Sequence, residues 1–452
     1  MDAFLHRQLA TGLAGLLAAA LALGADSSGH ATLVLTNATL IDGNGGEARP
    51  NSTVEISGKR ISDVYAGHYQ SDPTNETQVI DLDGAFVVPG LWNNHSHLAD
   101  LLPDPKDTLN RENSYDATIR AGRNAMDALR AGFTSLRVVG ESDYIDVAWR
   151  KAFESGVFVG PRIYASGPPI TAVGGHGTEP GMGGVAVEQA ANVDDVVRAV
   201  HEHADRGVDL VKIMVDRLTE AQLEAAIRTA HERNIKIVGH AAEPGAGIAV
   251  ALGIDGIEHG YGLTDKTIAL MADKGTFYDP TIVCNLSAEF IKEREAFVSN
   301  AGYIANSATR DGRVMVAYAD ERDPEQALGQ RRILKKAIAA GVMVISGSDS
   351  NPINEIGILE IEQLVISGAS EMDALLAATR NSAAMMGVLE DVGTIEVGKV
   401  ADLLVLKRSP LEKISNLRSV LQVYRNGSAV VLQTNEGRSS FWDLYFLEES
   451  KQ

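Results

Sequence analysis

The stretch PGLWNNHSHL, residues 89–98, decides how this chain folds and where its chemistry lies. It follows a short apolar run, residues 85–88, that is typical of a buried β-strand. Because residues two apart in an extended segment point to the same side, His95 and His97 emerge together at the strand end. Neutral imidazole is a common ligand of divalent metals, so this pair predicts half of a metal site.

The composition indicates a folded globular protein. The chain has 452 residues, 45% hydrophobic and 22% charged, which is enough for one large domain plus a smaller one. Its net charge of −20 argues against nucleic acid as a partner, because no basic surface would meet phosphate. A single cysteine excludes an intrachain disulfide, so the core must supply the stability.

The first residues predict a leader. Residues 9–25 form an apolar segment that follows His6 and Arg7 and ends in small residues, which is typical of a signal peptide over residues 1–25. An uncleaved membrane anchor is the alternative. No later segment is long and apolar enough to span a bilayer. We therefore expect a secreted or periplasmic protein, with no stable membrane insertion after the leader is removed.

Two regions at opposite ends of the chain share a β pattern. Apolar and polar residues alternate in four segments: 32–42, 54–64, 394–406 and 420–432. Gly58–Lys59 and Asn426–Gly427 are the expected turns, and the second pair is a strong hairpin signal. We expect residues 31–84 and 391–436 to form one small β-sandwich domain, followed by a C-terminal tail, residues 437–452.

The middle of the chain, residues 85–390, alternates short apolar runs with helical patterns. Eight runs are interpreted as β-strands: 85–95, 134–139, 161–165, 209–215, 235–241, 256–259, 276–282 and 342–349. Between them, the predicted helix 219–233 begins with a capping box from Thr219 to Gln222. This repetition predicts a (β/α)8 TIM barrel, an α/β fold whose active site lies at the carboxyl ends of the strands.

Six ionisable residues fall on these predicted strands: His95, His97, Lys212, His240, His259 and Asp349. Lys212 is unexpected inside the apolar run DLVKIMV, because burying an ammonium group is costly. Each residue alone has an ordinary interpretation, as a hydrogen-bonded core histidine, a lysine that reaches the rim or an aspartate that caps a helix. Their coincidence at one end of a barrel favours an active site.

These motifs resemble the amidohydrolase superfamily, and within it the imidazolonepropionase-related branch with its Xaa-Pro and Xaa-Arg dipeptidases and ochratoxin-degrading amidohydrolases. The resemblance covers nearly all of residues 32–436. It rests on the motifs PGLWNNHSH, GVDLVKIMV, IKIVGH, GIDGIEHG, ISGSD and VGTIEVGKVADLLVL, which follow one another along the chain.

The resemblance implies a binuclear centre of two divalent metal ions, with zinc as the expected metal. It assigns the ligands as follows: His95, His97 and Asp349 to the buried ion, His240 and His259 to the outer ion, and a carboxylated Lys212 as the bridge. A hydroxide that bridges the metals would attack a carbonyl, while Asp349 would serve as general base and then as general acid.

Three more residues are candidates for substrate binding. The family often uses a histidine from the loop after the third strand, and His176 in AVGGHGTEPG matches it; a solvated loop histidine is the alternative. Tyr261 follows His259 by two residues. Arg217 could pair with a substrate carboxylate, because guanidinium binds carboxylate in a bidentate manner, or it could be a surface residue at the entry to a helix.

The chain departs from the family pattern at two places. The family usually has aspartate where this chain has Asn93, and this change is expected to tune metal affinity. The segment after the lysine strand is short, since Val215, Asp216 and Arg217 lead almost directly into the helix at Thr219. The related dipeptidases carry a longer glycine-rich insertion there, so the wall of the substrate pocket is expected to differ.

Together these features predict a metal-dependent hydrolase that cleaves an amide or peptide bond of a small substrate, a dipeptide or an N-acyl amino acid. A cyclic amide, a lactone or a xenobiotic amide is the alternative substrate. A catalytically inactive binding or scaffold member of the superfamily is the alternative of another class, and the presence of all six ligands argues against it. We expect a homo-oligomer with a small-molecule substrate and no nucleic-acid partner.

Overall fold

The computed structural model describes six ranges of the chain: residues 32–70, 77–99, 113–179, 186–286, 324–350 and 353–432. The predicted leader, residues 1–25, and the predicted tail, residues 437–452, lie outside the described residues. Within them the fold is mixed α/β, as the sequence predicts.

The described strands are short and form three sheets, of which one combines strands from both ends of the chain and two are parallel sheets from its middle. They are β1 (Thr32–Leu40), β2 (Arg49–Ser57), β3 (Arg60–Ala66), β4 (Thr77–Asp81), β5 (Phe86–Pro89), β6 (Leu91–Ser96), β7 (Phe133–Val138), β8 (Arg162–Tyr164), β9 (Ile170–Ala172), β10 (Glu188–Ala190), β11 (Leu210–Met214), β12 (Lys236–Ala242), β13 (Gly256–Tyr261), β14 (Phe277–Asp279), β15 (Leu403–Leu406), β16 (Val420–Arg425) and β17 (Ser428–Ala429).

The helices follow the central strands along the chain. They are α1 (Ser114–Arg130), α2 (Ile145–Glu154), α3 (Val193–Arg206), α4 (Glu220–Glu232), α5 (Gly245–Leu252), α6 (Asp265–Lys274), α7 (Pro324–Ala339), α8 (Ile353–Ile366), α9 (Glu371–Ala377) and α10 (Arg380–Met385). Within the described ranges, none of them has both the length and the apolar character that crossing a membrane would need.

Strands from both ends of the chain share one sheet. Its order is β17-β16-β15-β5-β1-β2-β3, and β4 pairs with β1. Asn426 and Gly427 form the turn between β16 and β17 with φ of 52° and 74°, the left-handed backbone that a tight hairpin needs. The strands form a single sheet with its own apolar core, so the second layer of the predicted β-sandwich is not confirmed.

The central strands form two parallel sheets. One has the order β10-β9-β11-β12-β13-β14, and the other has the order β6-β7-β8. No closed barrel is observed among the described residues. The predicted eighth strand, residues 342–349, is not a strand and pairs through one parallel bridge between Val344 and Tyr278.

Two features of this eighth segment explain why it does not form a regular strand. A side chain at Gly347 would collide with the backbone of His95 and with Asp279, so the segment packs directly on its neighbours. Asp349 then turns the backbone into the left-handed region, with φ of 48°. The segment is nevertheless tied to both sides, because Asn94 N donates to Ser346 O at 2.9 Å and Ile345 N donates to Tyr278 O at 2.9 Å.

Helix α4 illustrates how the sequence builds the layer of helices. Thr219 caps it, and the reciprocal hydrogen bonds with Gln222 form the predicted capping box. Its apolar stripe, Leu223, Ile227 and Ala230, is buried, since these side chains spaced by three and four residues lie on one face of a helix. The prediction for this helix is confirmed, and its packed face supports the strands that carry the site.

Candidate metal centre

Four parallel strands and the segment before α8 bring the predicted ligands to one place. His95 lies near the end of β6 and His97 just beyond it, Lys212 lies in β11, His240 in β12 and His259 in β13, while Asp349 belongs to the eighth segment. The ring centroids of His95 and His259 are 5.0 Å apart, and those of His240 and His259 are 4.5 Å apart. The carboxyl ends of the strands therefore meet in a cluster of imidazoles.

Asp349 supplies a carboxylate to this cluster. Its Oδ1 lies 3.1 Å from Nε2 of His97 and 3.4 Å from Nε2 of His95, and its Oδ2 lies 3.9 Å from Nδ1 of His259. Burial alone would raise the pKa of Asp349, but the surrounding histidines outweigh it and hold this pKa well below its ordinary value. The carboxylate is therefore ionised and available as a ligand or a base.

The donor atoms fit a divalent cation. Ligand atoms of His95, His259 and Asp349 all lie within 4.8 Å of one another. Nδ1 of His97 lies 2.8 Å from the carbonyl oxygen of Gly140, which can only accept, so this nitrogen carries the hydrogen. The lone pair of His97 is then on Nε2, the nitrogen that faces Asp349. This is the tautomer that a metal ligand requires.

Lys212 is almost fully buried beside these histidines. Its Nζ lies 3.4 Å from Nε2 of His95. Burial lowers the pKa of Lys212 below its ordinary value, because a low-dielectric interior disfavours the ammonium form. The side chain is thus biased toward a neutral amine, which is a nucleophile.

His240 is oriented by a residue that the sequence analysis did not select. Its Nε2 lies 3.5 Å from Oδ2 of Asp216, which belongs to the short segment after β11. This hydrogen-bonding contact lowers the pKa of Asp216, and burial lowers the pKa of His240. Burial thus favours the neutral form of His240, which is the form that a metal ligand requires.

The three candidates for substrate binding lie at different depths. The ring of His176 stacks on His240 with centroids 4.3 Å apart, and the ring of Tyr261 stacks on His259 at 5.3 Å. Arg217 is exposed, and its Nη1 donates to the carbonyl of Gly174 at 2.7 Å. His176 and Tyr261 thus border the cluster, while Arg217 holds the glycine loop that carries His176.

A buried charged layer lies beneath the cluster, and the sequence analysis did not select its residues. Nη2 of Arg137 lies 2.7 Å and 2.9 Å from the two carboxylate oxygens of Glu258, and 3.3 Å from Oδ2 of Asp279. Although burial raises the pKa of Glu258, Arg137 and His95 lower it to about 2. Burial and the charge of Glu258 raise the pKa of Asp279 well above its ordinary value. The pKa values of these two carboxyl groups are therefore shifted in opposite directions.

A sequence signal for this layer was present. Arg137 lies inside the apolar run TSLRVV, and Glu258 lies inside GIEHG. A charged residue within a buried strand is the pattern that singled out Lys212, and it applies equally to these two.

Asn93, the departure from the family pattern, is buried and ties the first strand to the eighth segment. Its Oδ1 accepts from the backbone N–H of His95 at 3.2 Å and of Ser348 at 3.1 Å, and its Nδ2 donates to Oγ of Ser348 at 2.8 Å. A neutral amide can both donate and accept here, so Asn93 links the backbone of His95 to that of Ser348, the residue before Asp349, without adding charge.

Comparisons with known proteins identify the family of this chain. The model of the Amidohydrolase family matches residues 86–430. Ochratoxinase of Aspergillus niger is 25% identical over 89% of this chain and 87% of its own length. The structure of an Xaa-Pro dipeptidase with methionine bound in its active site is 26% identical, with a TM-score of 0.76 over 88% of this chain and all of that chain.

A third relative is a prolidase complexed with N-methylphosphonate-L-proline, which is 25% identical, with a TM-score of 0.72 over 89% of this chain and 100% of that chain. Together these matches confirm the superfamily branch that the motifs predict.

Proposed function

The chain belongs to the amidohydrolase family, and from this we propose that it is a divalent-metal-dependent hydrolase of an amide bond in a small substrate. The favoured substrate is a dipeptide or an N-acyl amino acid. The observation that carries the proposal is the convergence of the imidazoles of His95 and His259 and the carboxylate of Asp349 beside the buried Lys212. The dipeptidase and prolidase structures among the similar proteins support it.

Six residues would hold two divalent ions, zinc being the expected metal: His95, His97, Lys212, His240, His259 and Asp349. When bound, the ions would polarise the substrate carbonyl and lower the pKa of a water molecule. The tautomer of His97 and the ionised state of Asp349 support this ligand set. Neutral imidazole and carboxylate are ligands that suit zinc.

Lys212 would be carboxylated. The neutral amine nitrogen would attack carbon dioxide, so that a nitrogen–carbon bond forms as one carbon–oxygen π bond breaks, and the proton lost from the nitrogen would pass to water, which leaves a carbamate anion. This modification would replace a cation that the interior disfavours with an anion whose two oxygens could each serve as a metal ligand. The lowered pKa of Lys212 supports the proposal, because only the unprotonated amine can react.

The chain's own side chains would then move the proton and hold the substrate. Asp349 accepts a proton from the attacking water and delivers it to the leaving amine nitrogen. His176 and Tyr261, which stack on His240 and His259, contact the substrate at the rim. Arg217 either pairs with a substrate carboxylate or acts only through the glycine loop that it holds.

We also infer that the two parallel sheets are parts of one (β/α)8 barrel. Backbone hydrogen bonds across the gaps between them support this, since Asp209 N donates to Ala165 O at 2.7 Å and Asn94 N donates to Ser346 O at 2.9 Å. A barrel would gather the carboxyl ends of all its strands at one mouth, as the proposed centre requires.

Export through the leader, residues 1–25, remains part of the proposal and is tested by fractionating cells that express the full chain.

The decisive experiment is turnover of a mixed library of dipeptides and N-acyl amino acids, read by mass spectrometry. The protein is supplied with zinc and bicarbonate, and Asp349→Asn is the control. Release of free amino acids by the wild type alone would support the proposal and identify the preferred side chains. An untouched library with metal bound would favour a cyclic amide, a lactone or a xenobiotic amide. Failure to bind metal would favour an inactive binding protein.

A further inference from the structure

His95 is held from below by a carboxylate. Its Nδ1 lies 2.8 Å from Oε2 of Glu258, and each of the two side chains is only 1% exposed. Arg137 already donates to both oxygens of Glu258, as expected for a carboxylate paired with a guanidinium, so Oε2 accepts and Nδ1 of His95 donates. The lone pair of His95 is then on Nε2, which faces Asp349 and Lys212.

Arg137 in turn holds Glu258. Its side chain is fully buried, and Nη2 donates to both oxygens of Glu258 and to Oδ2 of Asp279. Its Nε donates to the backbone carbonyl of Asn94 at 2.6 Å, directly before His95. A guanidinium keeps its charge in proteins, so this cation is permanent and is fastened to the strand that carries His95.

His95 belongs to two groups that could each hold a cation. One contains His259 and Asp349, and the other contains Glu258 and Asp279. A neutral imidazole has a lone pair on only one of its two ring nitrogens, so His95 can be a ligand in only one of these groups. The guanidinium of Arg137 already lies between the two carboxylates of the deeper group. A metal ion there would have to displace it.

We propose that Glu258 and Arg137 are a positioning pair that sets the tautomer of His95, with the hydrogen on Nδ1 and the lone pair on Nε2. Arg137 also acts as a built-in cation that keeps divalent metal out of the deeper carboxylates. The consequence for metal binding rests on the proposed function, whereas the tautomer of His95 does not.

If Glu258 and Arg137 set the tautomer of His95, the variant Glu258→Gln should change that tautomer. The amide has one oxygen, and the charged donor of Arg137 competes for it more strongly than neutral His95 does. The amide NH2 then faces Nδ1 of His95, which must become an acceptor, so the hydrogen moves to Nε2. In the double variant Arg137→Met/Glu258→Gln the oxygen is free to turn back to His95, and the original tautomer returns.

The experiment measures ¹⁵N chemical shifts of the histidine rings in the full-length protein freed of metal by a chelator, assigned to His95 by comparison with His95→Gln. The wild type should show hydrogen on Nδ1, Glu258→Gln hydrogen on Nε2, and the double variant hydrogen on Nδ1 again. The matched control is Glu362→Gln, which removes a buried carboxylate that pairs with Arg418.

Zinc affinity, measured by competition with a chromophoric chelator, is the second readout. It should fall about 10- to 100-fold in Glu258→Gln and recover at least partly in the double variant. A general loss of structure would instead lower the zinc affinity of the double variant below that of the single variant, and melting temperatures would reveal it. Hydrogen on Nε2 in the wild type, or an unchanged tautomer in Glu258→Gln, overturns the proposal. If the wild type binds no zinc, the proposed function fails while the tautomer result still stands.

Discussion

Oγ1 of Thr281 lies 2.6 Å from Nδ1 of His259, and Thr281 reaches this position from a left-handed backbone with φ of 43°. Such a conformation costs about 1–3 kcal/mol in a residue with a branched β-carbon, so the surroundings must impose it. The next two backbone N–H groups, of Ile282 and Val283, donate to the buried carboxylate of Glu360 at 2.9 Å and 2.7 Å. Helix α8 therefore holds the strained residue that orients a candidate ligand.

The hydroxyl group of Thr281 is expected to affect zinc affinity more than the size of its side chain does. Thr281→Val keeps the size of the side chain but removes its hydrogen bond to His259, so zinc affinity should fall about 10- to 100-fold. Thr281→Ser keeps the hydroxyl and is the control, with nearly unchanged affinity. Equal affinity in all three proteins, measured by chelator competition, would contradict an orienting role for Thr281.

Glu360 predicts a pH dependence of stability. Burial raises the pKa of Glu360 to about 8, whereas a glutamate in the unfolded chain has its ordinary pKa of 4.5. The folded protein therefore binds more protons than the unfolded chain between these two values, and its stability falls as pH rises through this window. Each pKa unit between the two states corresponds to about 1.4 kcal/mol.

The variant Glu360→Gln cannot titrate and isolates this contribution. Urea unfolding of both proteins, with metal removed by a chelator, should show the wild type losing free energy of unfolding relative to the variant from pH 5 to pH 8. A constant difference between the two proteins over this range would show that Glu360 does not titrate there. The titrations of the other side chains are common to both proteins and cancel.

Asp349 is expected to be the proton carrier of the reaction. Asp349→Asn keeps an oxygen beside the histidines but cannot accept the proton, so kcat should fall about 10²- to 10⁴-fold. The bound zinc, measured by elemental analysis, should be largely retained. Activity equal to that of the wild type would rule out this mechanism.

Arg217 is expected to act through the loop that carries His176. Its hydrogen bond to Gly174 is worth about 1 kcal/mol, so Arg217→Ala should raise KM roughly fivefold. The double variant Arg217→Ala/His176→Ala should then have the same KM as His176→Ala alone. The matched control is Arg198→Ala, which removes an exposed arginine from helix α3.

A direct contact with the substrate would give a different result for Arg217. The effects of the two substitutions would then multiply, and the effect of Arg217→Ala would vanish with substrates whose carboxylate is amidated. Kinetics with matched free and amidated substrates separate the two roles.

The sequence alone was sufficient for the family, the mixed α/β class and the six residues that meet in the candidate centre. These rest on local rules, because alternation, strand ends and a lysine in an apolar run can be recognised within about ten residues. The capping box at Thr219 and the turn at Asn426 are equally local, and the structure has both.

Only the tertiary structure decided which side chains support the centre. Glu258, Thr281 and Asp216 each contact a histidine, and Arg137 and Glu360 hold two of these partners in place. The same packing makes the predicted eighth strand an irregular segment, since Gly347 presses against His95 and Asp279. These outcomes depend on distances between residues far apart in the chain, and on the cost of burying a charge without a partner, which no local pattern encodes.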